Sequence, residues 1–309
     1  MTGQYLPKLL IINADDFGMS EAVNSAIERA HRYGTLTSTS LMMGEPACSH
    51  AVTTARCNPE LAVGLHVTVT ADHAVLDRTE NPGLVDSNRR FRNNPLSAGL
   101  LYRFSSSVKD QLRREMDAQF TAFKATGLNW SHADGHQHFH MHPVVWEHFL
   151  GLCEQYGVFR IRIPIEGFRS HLNSGGDRSV PLALASLILR SMSRQNLARL
   201  MKRPDVRRWF VPDRSYGTFQ SGNMHAIYVL KTIDRLEGVA NEVYLHPGTE
   251  YARRLDASKC TTDLRDVELH ALLQPALRDR VIQTDIKLTT YSAAQATLAD
   301  DSWRTSATV

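Results

Sequence analysis

Two adjacent carboxylates, Asp15 and Asp16, follow directly on the apolar run Leu9–Asn13. Like charges at the mouth of a buried strand repel unless a cation or a proton is shared between them, so the pair suggests one metal ligand and one base. A turn with a helix cap is the plainer account, but Ser20 already stands where the cap is needed. The stretch 131–143, SHADGHQHFHMHP, holds five of the chain's 14 histidines and Asp134. It follows a strand pattern and precedes a proline-opened helix, which argues against an adventitious patch. In an extended chain His136, His138 and His140 would share a face, one as ligand and its neighbours behind it. His66 ends the strand pattern LAVGLH, and His246 ends EVYLH. Asp16, His66 and His136 would form a two-histidine, one-carboxylate site with positions open to water. Zinc is the first choice for such a set, with magnesium or another divalent ion as alternatives. An ion of this kind lowers the pKa of water and polarises a carbonyl oxygen. Asp15 is then the expected base, and His246 the expected acid for a leaving group, since imidazole titrates near neutrality.

These residues need elements that bring them together. Leu9–Asn13, Leu36–Met43, Leu61–Val69, Trp130–Asp134, Val158–Ile163, Glu242–His246 and Val281–Leu288 read as strands. Helical patterns lie between them: from Ser20 to a stop at Gly34, from Pro46, over Val108–Thr126, from Pro143, over Met224–Leu236, and near Val267–Arg278. A final helix is expected with Ser292 as cap and Gln295 as its capping-box partner. The polar stretch 71–106 reads as a long connection with turns at Asn81-Pro82-Gly83 and Asn93-Asn94-Pro95. Seven or so βα units predict a parallel (β/α) barrel-like α/β fold, complete or incomplete, with a doubly wound sheet as the competitor. In either fold the strand C-termini carry the chemistry, and the polar residues above sit there.

Four motifs in order, INADDFGMS, GLHVTVT, SHADGHQHFHMHP and EVYLHPG, resemble the YdjC/ChbG-like carbohydrate deacetylases over 12–248. The resemblance implies a metal-dependent N-deacetylase on a (β/α)-barrel-like fold, acting on N-acetylglucosamine-containing sugars. It implies Asp15 as base, Asp16, His66 and His136 as ligands, and His246 as acid. Gly135 and Gln137, flanking the ligand position, depart from the commoner family pattern of Ser and His. Within the family the stretches IRIPIEG (161–167) and SYGTFQSGNM (215–224) are similar to the hopanoid-biosynthesis branch of HpnK-type proteins. That similarity implies an N-acetylglucosaminyl hopanoid (bacteriohopanetetrol) lipid as substrate, with soluble chitooligosaccharides such as diacetylchitobiose as the alternative. Arg162 and Glu166 of IRIPIEG, with His138 and His140, are then expected behind the ligands or against substrate.

The chain of 309 residues, 42% hydrophobic and 22% charged, is globular in composition and is expected to be one deacetylase domain with a helical insertion at 167–216. The four cysteines form no CxxC pair, and the apolar run before the first acids is short for a signal peptide. A cytoplasmic protein is expected, peripheral at the inner membrane surface. Between Arg160 and Arg214 twelve Lys and Arg stand against four acids, although the whole chain is only +3. The apolar run Pro181–Leu189, the following arginines and Trp209-Phe210 would suit an anionic bilayer through 181–210, while an ordinary core helix with a solvated face explains them equally well. No nucleic-acid motif accompanies the charge. The expected partners are an amino-sugar glycolipid or oligosaccharide, that membrane surface, and a second copy in a homodimer. Glycoside hydrolysis would need carboxylates flanking a bond, which adjacent acids fit poorly. A non-catalytic glycolipid-binding protein would lack a ligand, and none is missing.

Overall fold

The computed structural model describes residues 7–176, 180–249 and 265–299. Seven parallel strands form its sheet: β1 (Lys8–Phe17), β2 (Ser38–Leu41), β3 (Ala62–Val67), β4 (Trp130–Gly135), β5 (Arg214–Tyr216), β6 (Ala240–Leu245) and β7 (Ile286–Leu288). The order is β4-β3-β2-β1-β6-β5, with β7 paired to the start of β1. The two outer strands are joined by the extended segment 159–165. On one side Ala133 N–H donates to Arg160 O (2.9 Å) and Arg162 N–H to Ala133 O (3.2 Å). On the other, Ile161 N–H donates to Phe210 O (3.0 Å) and Ser215 N–H to Ile165 O (3.2 Å). The expected barrel is therefore present. Its closure is irregular, because the strand expected at Val158–Ile163 makes only isolated bridges; Pro164 has no N–H to continue a ladder.

Eleven helices among the described residues surround the sheet: α1 (Glu21–Tyr33), α2 (Cys48–Cys57), α3 (Pro95–Phe104), α4 (Ser106–Ala125), α5 (Pro143–Tyr156), α6 (Phe168–Asn173), α7 (Val180–Met201), α8 (Ala226–Ile233), α9 (Arg265–Leu273), α10 (Pro275–Gln283) and α11 (Tyr291–Ala299). Leu112, Met116, Phe120 and Phe123 form the buried stripe of α4 that their spacing predicts. Ser20 caps α1 by accepting from Val23 N–H at 3.2 Å. Replacing it with Ala is expected to lower stability by about 1 kcal/mol. A urea midpoint that falls at constant slope checks this.

Four local expectations are corrected. The stretch read as a long connection contains α3, which Asn94 caps by accepting from Leu96 and Ser97 N–H. The helix expected near Val267–Arg278 is two, α9 and α10, because Pro275 opens the second. The strand expected at Val281–Leu288 is reduced to Ile286–Leu288, since α10 runs on to Gln283. The last helix begins two residues earlier than expected, at Tyr291, with Thr290 Oγ1, not Ser292, accepting from Ala293 N–H (3.3 Å).

In the basic segment, Trp209 and Phe210 are buried against the barrel, so they are core residues and not a membrane edge. On α7 the side chains of Ser186, Ser193, Asn196 and Leu200 are buried and those of Leu189, Met192 and Leu197 pack against the core, whereas Leu187 and Ile188 are exposed. Of Pro181–Leu189, the side chains before Ser186 lie outside the described residues, as does Cys260. Among the described residues no helix is long and apolar enough to cross a membrane.

Candidate metal and proton-transfer site

At the C-terminal mouth of the barrel, β1 delivers Asp15 and Asp16, β3 delivers His66, and the end of β4 delivers Asp134 and His136. Consecutive side chains of a strand face opposite ways, but here the backbone adds to the separation. Asp16 sits at φ 67, where the β1–β2 register shifts. A left-handed non-glycine residue stores strain of about 1–3 kcal/mol, and such strain clusters at functional sites. It turns the Asp16 carboxylate toward the histidines. Asp16 Oδ1 lies 3.1 Å from His136 Nδ1 and 3.7 Å from His66 Nε2.

The potential ligand atoms of Asp16, His66 and His136 all lie within 4.8 Å of one another. Asp16 and His66 are buried, and the His136 side chain is 12% exposed, so the cluster opens to solvent along one edge. Asp134 accepts from His66 Nδ1 at 2.7 Å, which fixes the tautomer and leaves Nε2 facing Asp16. His136 Nε2 lies 3.0 Å from Asp72 Oδ2. Burial opposes a charge on His136, but its hydrogen bonds to Asp16 and Asp72 raise it to about 10. Burial would likewise raise Asp16, yet Arg265 and His136 hold it well below the usual carboxylate range. Two imidazoles and an ionised carboxylate, converging and open on one side, are a donor set that suits a divalent ion. Asp15, His66 and Asp134 form a second close group. Asp134 is already engaged there by His66, by Ser40 Oγ (2.9 Å) and by Arg162 (2.8 Å), so the Asp16 group is the better cradle.

Asp15 faces the other way, into a buried network. Arg162 grips it with two bonds, from one terminal nitrogen to Oδ2 (2.7 Å) and from the other to Oδ1 (2.8 Å). Asn13 Nδ2 adds a third bond to Oδ1 at 2.8 Å. Arg162 is fully buried and also binds Asp134 and Glu242, while its guanidinium lies 4.3 Å from the Tyr244 ring centre. A buried cation is tolerated only when paired this fully. Burial works to raise Asp15, but Arg162 and His66 keep it below the ordinary value, so it stays ionised.

His246 follows β6 and places Nε2 3.9 Å from Asp15 Oδ2. Behind it, buried Glu268 of α9 accepts from His246 N–H and from Met224 N–H (2.9 Å), with its Oε2 3.6 Å from His246 Nδ1. Burial lowers the affinity of His246 for a proton, but Glu268, Asp16 and Asp15 together raise it above the ordinary value. Arg265, one helical turn before Glu268, donates to Asp16 Oδ2 at 2.7 Å.

The remaining expected residues are placed differently. The chain does not stay extended after Gly135: His136–Met141 form a 3-10 turn with Gln137 and His138 at φ 51 and 56. His136, His138 and His140 therefore share no face. His138 Nε2 bonds Tyr244 Oη (2.8 Å), and buried His140 bonds Arg162 O (2.9 Å). Burial, aided for His138 by Arg162, keeps both neutral, His140 at about 4. A Cβ on Gly135 would lie 2.7 Å from His140 Nδ1, so glycine there makes room for the turn. Glu166 is a loop anchor: its Oε2 accepts from Gly217, Thr218 and Phe219 N–H at 2.9–3.3 Å. Burial raises it to about 7 against those three bonds. Its other oxygen accepts from Tyr228 Oη (3.4 Å), so these bonds tie it to the 217–219 loop and α8 rather than to the cluster.

Asp72, Glu268, Arg265 and Asn13 are not singled out by the sequence, and Asp134 stands in its histidine-rich stretch without an assigned role. Its place near the C-terminal end of β4 is the signal that could have given it one. Asp72 and Glu268 carry no local signal.

Residues 9–283 match the YdjC-like protein family. A protein of Geobacillus stearothermophilus named carbohydrate deacetylase is 30% identical over 289 residues, 93% of this chain and 98% of its own length. One of the same name from Brevibacillus brevis is 40% identical over 149 residues, 48% of this chain and 57% of that protein. A crystal structure from Enterococcus faecalis, described as a putative cellobiose-phosphate cleavage protein, superposes with a TM-score of 0.70 at 25% identity, covering 93% of this chain and 99% of that one.

Proposed function

This chain belongs to the YdjC-like protein family, and from that membership we propose that it hydrolyses the acetamide of an N-acetylated amino sugar. The observation that carries the reading is the convergence of Asp16, His66 and His136, from three strands, within 4.8 Å beside a buried Asp15 and a carboxylate-backed His246. Full-length similarity to a protein named carbohydrate deacetylase supports the substrate class.

Asp16, His66 and His136 would hold a divalent ion, which when bound supplies Lewis-acid polarisation of a carbonyl and a lowered pKa for water. Zinc is the first choice for two imidazoles and a carboxylate, with magnesium as the alternative. Asp15 takes the proton of the attacking water. Arg162 keeps that carboxylate ionised and oriented, at the expense of some basicity. His246 gives a proton to the departing amine nitrogen, with the Glu268 carboxylate bonded to its backbone N–H and lying 3.6 Å behind its ring.

We infer further that the acceptor sugar is carried by an apolar body, an N-acetylglucosaminyl hopanoid lipid, with binding at an anionic membrane surface. The stretches 161–167 and 215–224 support this, as do exposed Leu187 and Ile188 on α7, the helix that also carries exposed Arg194. Soluble chitooligosaccharides are favoured instead by the carbohydrate-deacetylase names of relatives aligned over their whole length. Acetate release measured side by side on diacetylchitobiose and an N-acetylglucosaminyl hopanoid separates the two.

Chelation tests the reaction class itself. Protein stripped of metal is expected to release no acetate, and added zinc to restore release. Full acetate release from verified metal-free protein would overturn the proposal.

A further inference from the structure

We propose that Asp72 is a positioning residue for the candidate metal site, its carboxylate holding the outer nitrogen of His136 so that the inner nitrogen is presented to the ion. The inference rests on the ligand reading above. It starts from a symmetry between the two imidazoles. His66 stands between Asp16, on Nε2, and Asp134, on Nδ1. His136 stands between Asp16, on Nδ1 (3.1 Å), and Asp72, on Nε2 (3.0 Å). An imidazole that ligates a metal ion is neutral and has one N–H, so a carboxylate that accepts it leaves the lone pair on the opposite nitrogen. In both rings that opposite nitrogen faces Asp16. The two rings meet edge to face, 78° apart in plane with centroids 5.5 Å apart.

Asp134 comes from a strand and needs no further support. Asp72 comes from the connection between β3 and α3, and the chain holds that point in place on both sides. Ala71, at φ 67, turns the backbone, and its N–H donates to Arg92 O at 3.0 Å. Phe91 N–H donates to Asp72 O at 3.0 Å. Buried Glu45 accepts from His73 N–H (2.8 Å) and from its ring (3.1 Å). Buried Glu115 accepts from Val75 N–H (2.8 Å), Leu76 N–H (3.0 Å) and Asn81 Nδ2 (2.9 Å). Burying two carboxylates is costly unless they are hydrogen-bonded, and both bond the segment that follows Asp72, Glu115 accepting from Gln119 Nε2 (2.8 Å) as well. The Asp72 side chain itself is only 15% exposed.

The test is zinc affinity, measured on metal-free protein by competition with a chromophoric chelator. Wild type, Asp72→Asn, Asp72→Ala and Asp77→Asn are compared, with circular dichroism and a urea midpoint confirming that each is folded. Loss of an outer-sphere carboxylate is expected to weaken zinc binding about 10- to 100-fold in both Asp72 variants. Asp77, which bonds Thr79 in the same connection, is expected to be silent. Wild-type affinity in folded Asp72→Ala overturns the proposal. Tighter binding overturns it too, since Asp72 would then only hold a protonated imidazole that competes with the ion. An equal loss in Asp77→Asn would assign the effect to the loop rather than to the carboxylate. If wild type binds no zinc, the ligand reading fails, an outcome distinct from wild-type binding with indifferent Asp72 variants.

Discussion

Asp15→Asn is expected to keep its metal and lose acetate release by about 10²- to 10⁴-fold, the usual contribution of a positioned general base. The substitution preserves shape but removes the charge, the basicity and one of the two oxygens that accept from Arg162. The fold should survive it, because Arg162 retains Asp134 and Glu242 as partners. Activity loss would then report chemistry and not collapse. The checks are kcat at saturating substrate and metal content on the same preparation. A variant that released acetate at the wild-type rate would exclude Asp15 as base. The structure also bears on how the base behaves with pH. Asp15 is held below the usual carboxylate range, so it is ionised throughout the neutral region, and protonation of Asp15 cannot account for a fall in rate that begins near neutrality.

Asp16→Ala is expected to abolish both metal binding and turnover, with residual activity below about one ten-thousandth of wild type, since the Lewis acid is lost together with the lowered pKa of water. Alanine also tolerates φ 67 less well than aspartate, so some of its effect is on stability. Asp16→Asn separates the two, because asparagine adopts the left-handed conformation as readily while losing the charge. Both variants should lose metal, and only the alanine variant should also lower the urea midpoint appreciably. Retention of stoichiometric metal in folded Asp16→Asn would remove Asp16 from the ligand set. Arg265 sharpens the comparison, because its 2.7 Å bond to Asp16 Oδ2 sets a fixed cation beside the same carboxylate.

Much of this protein is legible in its sequence. Apolar runs ending in Asp15-Asp16, His66 and His246 identify strands whose ends carry polar chemistry, and a buried parallel strand can only read as such a run. Ser20 and Gly34 bound α1 as their types predict. Other features gave no local signal. The 3-10 turn at His136–Met141 depends on Gly135 leaving space for His140, a contact made after folding, so alternation misplaced His138 and His140. Trp209 and Phe210, which beside their arginines suit a membrane surface and a core equally well, are both buried, Phe210 through backbone bonds to Phe159 and Ile161 and Trp209 through its ring against Phe159.

The identities of the acids and imidazoles, and the strands that end in them, follow from residue type and period, because those properties act over a few neighbouring positions. Which carboxylate backs which imidazole was decided only in three dimensions. Asp134 reaches His66 across 68 positions of chain and Arg162 reaches Asp15 across 147, and closing such distances is a property of the sheet order, which no short stretch of sequence encodes.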